Sequence, residues 1–311
     1  MRISQLRLST CVLALFFFLG LPAVHAQVEY GTSAAAGVVA DIFVDADSDL
    51  NLAGTLAVAQ AELIGVVASA RAEMNKVSGR TAITDIADSD ALSYTTFSWD
   101  TFDVTSSSIP NGTATAVTFW IGLDAVLRAS YTDPGGGLPP YALSLMIVDV
   151  YTVNLTADVP TLATPVFVGT AFLDATSGLS MGAPPNDLVA GDFDVQAVSG
   201  GYTATLSGFQ TPISISTTVG SQISLRFSVQ TGSSVAPDVT DGIAIADLQD
   251  SLELLEIETE AGVEITRASG APIPPVPLHA APVLVVVLPT VGAVLLGRRS
   301  RTSRGGPRLT A

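Results

Sequence analysis

From Ala114 to Leu127 the chain alternates, with Val117, Phe119, Ile121 and Leu123 apolar and Thr118, Trp120, Gly122 and Asp124 between them. A period of two is the signature of a strand with one face buried; a helix would repeat near 3.6. The same signature recurs along most of the chain. Gly37–Val44, Leu92–Trp99 and Tyr141–Val153 are runs of β-branched and aromatic residues, the last reached through the loop Asp133-Pro134-Gly135-Gly136-Gly137. Ile223, Leu225, Phe227 and Val229 face one way in a further run. Phe193–Val198 and Tyr202–Leu206 flank Ser199-Gly200-Gly201, a hairpin signal, because glycine supplies the backbone angles of a tight turn. Near the end, Leu252 and Leu254 are in one phase and Leu255 and Ile257 in the other, which predicts a β-bulge. Leu56–Met74 is ambiguous in composition. Its Ala, Glu and Leu suit a helix, whereas Gly65 and Val66-Val67 favour one long strand, and the strand reading is taken.

Many strands, frequent turns and no alternation of strand with helix predict an all-β fold over residues 27–271. The expected architecture is an antiparallel β-sandwich, jelly-roll-like, without internal repeats.

Charge and missing residue types bound the chemistry. Residues 27–271 hold all 29 acidic residues, and only Arg71, Lys76, Arg80, Arg128, Arg226 and Arg267 oppose them there, a formal charge of −23. Such a surface repels nucleic acid and anionic lipid. The one cysteine is Cys11 and the two histidines are His25 and His279, so residues 27–271 contain neither type. That stretch has no Ser-His-Asp or Cys-His site, no His-ligated zinc or copper and no disulfide. At this length a core forms without staples. The expectation is a protein that is not an enzyme.

Asp45, Asp47 and Asp49 place carboxylates at alternate positions, as the start of a calcium loop does. An EF-hand needs Gly at its sixth position and Glu at its twelfth; Leu50 and Leu56 stand there. What remains is a looser calcium site or a solvated acidic turn. Asp85, Asp88 and Asp90 form a second such group. Calcium is the only cofactor these patterns suggest. A carboxylate-based glycoside hydrolase would need two carboxyls about 5–9 Å apart in a cleft, and no pair is singled out. Trp99 and Trp120 suit either a core or stacking on sugar rings, with core the commoner use of such positions.

The two ends differ from the body. Arg2 and Arg7 precede the apolar run Cys11–Leu21, and Val24-His25-Ala26 closes it with small residues. That layout is a secretory signal peptide of residues 1–26, cut between Ala26 and Gln27 by signal peptidase. At the other end a Pro-rich stretch, 272–280, leads into an apolar segment, 280–297, and then Arg298, Arg299, Arg301, Arg304 and Arg308. Eighteen helical residues rise about 27 Å, close to a hydrocarbon core of about 30 Å. The arginines act as a stop-transfer signal.

Val276-Pro277-Leu278-His279-Ala280, the apolar segment and the arginine cluster together resemble the PEP-CTERM sorting signal in its VPLPA variant, with His279 in place of the second proline. Phe209–Gly270 resembles the last strands of the β-sandwich bodies that precede such tails. The resemblance implies an exosortase-type enzyme that processes the tail at residues 276–280 while it is held transiently in the inner membrane. It also implies a secreted or cell-surface location and an exopolysaccharide-associated structural or interaction role, in the manner of biofilm matrix proteins. A carbohydrate-binding module on a sandwich face is the alternative.

Overall fold

The computed structural model describes residues 31–270, apart from 41–42, 52–55, 75, 86–88, 133–140, 155–160 and 238. The expected signal peptide and sorting tail lie outside the described residues. Among the described residues there is no α-helix, and no helix is long and apolar enough to cross a membrane.

The described residues form fifteen strands in order: β1 (Gly31–Ala40), β2 (Phe43–Asn51), β3 (Leu56–Leu63), β4 (Val66–Glu73), β5 (Lys76–Thr84), β6 (Ser89–Thr105), β7 (Ala114–Thr132), β8 (Ala142–Asn154), β9 (Thr161–Asp174), β10 (Gly178–Met181), β11 (Asp194–Val198), β12 (Gly201–Thr218), β13 (Gln222–Val235), β14 (Thr240–Thr259) and β15 (Glu264–Arg267). They form two antiparallel sheets. One has the order β10-β9-β8-β13-β6-β1-β2, and the other β11-β12-β7-β14-β5-β4-β3. β15 pairs with β6 beyond the end of β1 and so continues its column.

The alternation read from the sequence is the packing pattern. Val117, Phe119, Ile121, Leu123 and Leu127 of β7 are buried, as are Ile223, Leu225, Phe227 and Val229 of β13. Phe102 of β6 meets Phe119 of β7 edge-on, with centroids 5.1 Å apart, and so joins the two sheets at mid-core. Toward β1–β4 the core changes character. Ala34, Ala36, Ala57, Ala59, Ala61, Ala68, Ala70 and Ala72 fill it, and Cα atoms of β1 come within 8 Å of those of β3 and β4. Methyl-sized side chains let the two sheets approach closely on this side.

Several expected elements appear as read. β11 and β12 form the hairpin, with Val198 opposite Gly201. Gly200, at φ +73°, must be glycine for space as well as angle, since a Cβ there would lie 2.1 Å from the Tyr131 carbonyl oxygen. In β14, Leu254 stands opposite Ile121 and Glu256 opposite Trp120, so Leu255 is the extra residue of the bulge. It lies over Gly122 and returns Ile257 to the core phase. Two readings are corrected. Leu56–Met74 is not one strand but β3 and β4, with Leu63 opposite Val66 across Ile64-Gly65, where Gly65 has φ +74°. Gly37–Val44 is likewise divided, with Ala40 opposite Phe43. Across Ile64-Gly65 the buried positions pass from odd (57, 59, 61) to even (66, 68, 70, 72), and the apolar residues that crowd the junction, Leu63, Ile64, Val66 and Val67, concealed that change in the sequence.

The final strand is locked by charge. The Arg267 side chain is buried, with its Nε 2.8 Å and a terminal nitrogen 2.7 Å from Asp100 Oδ2. Its guanidinium lies 5.4 Å from the centroid of the Phe102 ring. The Ser269 hydroxyl donates to Asp100 Oδ2 at 2.6 Å, and the Thr101 N–H donates to Oδ1 at 2.9 Å. A buried pair persists only when its remaining lone pairs are served in this way.

Candidate functional site

The hairpin β3–β4 and the next strand β5 build an outer sheet face. Ala57, Ala59 and Ala61 turn inward, so Val58 and Gln60 turn out. Ser69 lies opposite Arg80, Arg71 opposite Ser78 and Glu73 opposite Lys76, all in the outward phase. Together they line a groove of about 490 Å³. Three of the six basic residues of the acidic body thus stand on one surface, and Arg128, in the outward phase of β7, lies on the same face two strands beyond β5.

These cations have acidic neighbours. Arg71 Nε donates to Glu73 Oε1 at 2.6 Å, and Arg80 Nε is 3.4 Å from Asp247. Exposed pairs of this kind contribute little stability, and their guanidiniums remain available to a competing anion. With the amide of Gln60 and the hydroxyl of Ser69, the groove presents donors to an oxygen-rich ligand. Comparison with protein-family models, curated proteins and solved structures gives no match.

The carboxylates read as a calcium loop lie in a strand. Asp45, Asp47 and Asp49 of β2 stand opposite Val38, Ala36 and Ala34, on the inward face of an end strand. Each reaches across to β3: Glu62 N–H donates to Asp45 (2.8 Å), Gln60 N–H to Asp47 (3.1 Å) and Val58 N–H to Asp49 (3.1 Å). Alternate residues of a strand are about 6.8 Å apart, so the three carboxylates are spread along β3 and not gathered. Among the described residues no group of three or more His, Cys, Asp or Glu stands where it could hold a metal ion. Asp85 sits in a turn at φ +59° and Asp90 in β6, while Asp88 lies outside the described residues.

Trp99 and Trp120 are not core residues. Each is partly exposed in the outward phase, Trp99 opposite Arg226 and Trp120 opposite Pro212 and Glu256. The reason is phase: Phe119 and Ile121 take the inward positions on either side of Trp120. The two tryptophans stand on different sheets, so they form no common stacking platform. The residues that signalled the tail and the leader, Val276–Ala280, Arg298, Arg299, Arg301, Ala26 and Gln27, lie outside the described residues.

One electrostatic cluster escaped the sequence reading. On the outer face of the β8-containing sheet, Arg226 of β13 lies opposite Tyr151 of β8, one outward position from Asp149. Burial pushes the Asp149 carboxyl from 3.8 up to about 6, with Arg226 pulling the other way. Burial lowers the Arg226 guanidinium to about 10, against the opposing pull of Tyr151 and Asp149. The Tyr151 phenol is raised by burial and by Asp149. The only sequence signal was an ionisable residue in the polar phase of two strands more than seventy residues apart.

Proposed function

We propose that this chain is an exported, non-enzymatic surface or matrix protein. In this reading the leader is removed after Ala26, an exosortase-type enzyme processes the tail at 276–280, and a body of jelly-roll type is displayed outside the cell. The body is an interaction module, and its groove over β3–β5 takes an acidic, oxygen-rich polymer such as a uronate-bearing exopolysaccharide. One observation carries the reading: an acidic body gathers Arg71, Lys76 and Arg80 on one open sheet face. Of the side chains lining that groove, Glu73 is the one carboxylate, and Arg71 holds it. A hydrolase would need a second carboxyl facing it across a cleft.

Full-length protein should bind immobilised uronate-bearing polysaccharide more tightly than a neutral one. The triple variant Arg71→Ala/Lys76→Ala/Arg80→Ala should lose that preference. Equal binding to both polymers, or a preference that survives the triple variant, removes the groove from the reading. For the tail, mass spectrometry of protein recovered from the cell exterior should find a C-terminus within 276–280; one at Ala311 would make the segment a plain anchor.

A further inference from the structure

β2 and β3 are the end strands of opposite sheets, and the short alanine side chains between the sheets bring them together. β3 pairs with β4 along one side only. In an antiparallel pair alternate residues turn their N–H and C=O toward the partner, and those between turn theirs away. The N–H groups of Val58, Gln60 and Glu62 are met on the far side by Asp49, Asp47 and Asp45. A fourth rung continues the series, since Asn51 Nδ2 donates to the Leu56 carbonyl at 3.0 Å. The pairs 45/62, 47/60, 49/58 and 51/56 hold one antiparallel register. Three carboxylates and an amide therefore stand where the backbone of an added strand would stand.

We infer that this ladder is an edge guard, which keeps β3 from pairing with β3 of a second copy of the same chain. An uncovered edge strand is a template for another strand, and inward-pointing charge on an end strand is one way to blunt it. Association through this edge would be favoured by what surrounds it. Leu56 and Val58 are 40% and 46% exposed, and Ile64 at the hairpin tip is 90% exposed. Two antiparallel copies of β3 would also join two seven-stranded sheets into one. The ladder opposes this twice. It occupies the amides an incoming strand needs, and it sets three negative charges against the same three on the other copy. A carboxylate cannot donate, so the ladder leaves the carbonyls of Val58, Gln60 and Glu62 to other donors. An incoming strand serves both N–H and C=O, so it wins once the carboxylates are gone.

The test uses the full-length chain carrying Asp45→Ala/Asp47→Ala/Asp49→Ala. It is compared by light scattering with the unaltered protein and with a control that loses three exposed carboxylates elsewhere, Asp194→Ala/Glu258→Ala/Glu260→Ala. The ladder variant should show at least twice the mass of the other two at equal concentration. Adding Gln60→Pro, which removes an outward N–H and cannot join a ladder, should return it to the unaltered mass. The inference is overturned if a folded ladder variant keeps the unaltered mass, if the control associates equally, or if Gln60→Pro does not reverse the association. Should the triple variant not fold, Asp47→Ala alone, which frees the central Gln60 amide, is measured in its place, and the same outcomes apply. Hydrogen exchange on the unaltered protein decides the ladder independently. The amides of Val58, Gln60 and Glu62 should exchange at least tenfold more slowly than in unstructured peptide, and unslowed exchange at all three overturns it.

Discussion

Two regions of the sandwich are closed by different chemistry. Around Phe102, Phe119, Ile121, Leu127, Met146 and Leu225 the sheets are held apart and joined by large apolar side chains. Around β1–β4 the filling is alanine, the sheets draw together, and hydrogen bonds from Asp45, Asp47 and Asp49 close the end. Side-chain volume decides which closure is open to each region. Aspartate is short, so it reaches the opposite edge only where alanine sets the gap. Where phenylalanine sets it, an inward aspartate survives only with a buried partner, as Asp100 does with Arg267.

The comparison breaks most visibly at the wide side. Arg267→Ala leaves the Asp100 charge buried and should cost about 3–5 kcal/mol, a large share of a domain's stability. Urea unfolding measures it, and replacing both partners by apolar residues of similar size should recover much of the loss. Phe119→Ala should cost a comparable amount, about 3–5 kcal/mol, through the cavity it opens against Phe102. If either change shifted the urea midpoint no more than a surface substitution, the sheets would not be joined there as described.

At the alanine side the sign of the volume effect reverses. Ala59 is fully buried, and Ala59→Leu overfills the gap, which should cost about 1–3 kcal/mol. The same change should speed exchange at the Val58, Gln60 and Glu62 amides, because it pushes β3 from the aspartates. A stabilised Ala59→Leu variant would show that the alanine seam is loosely filled.

The smallest expected effect is on pH dependence. The Asp149 carboxyl is raised to about 6 in the folded chain, so folding favours its protonated form. Its contribution is therefore greatest below about pH 4, near the unfolded value, and is lost as pH rises toward 6. Asp149→Asn cannot titrate. The stability of this variant relative to the unaltered protein should rise between pH 4 and 6, as read from thermal unfolding. A constant difference across that window would mean the carboxyl titrates at its ordinary value.

Much of the architecture was legible because a strand writes its burial into a period of two. The runs in β7, β8 and β13, the hairpin at Ser199-Gly200 and the bulge at Leu255 were all visible as phase or as turn residues. The junctions of β1 with β2 and of β3 with β4 were hidden, since apolar residues crowd each one and blur the change of buried phase from strand to strand. The candidate site was less legible. Arg71, Lys76 and Arg80 are close in sequence, but only the pairing of β4 with β5 places all three outward on one surface.

The amino-acid sequence by itself determined what the body lacks and what it is made of. It has no histidine or cysteine, it carries 29 acids against six bases, and its apolar residues alternate along many runs. These are local or additive properties, and no fold can alter them. The tertiary structure decided what the charges do. Asp45, Asp47 and Asp49 have the spacing of a cation loop, yet they stand as rungs against β3, because strand pairing and the alanine gap place an unserved backbone edge within their reach. A carboxylate takes its role from the donor nearest to it, and in this sandwich that donor is supplied by the opposite sheet.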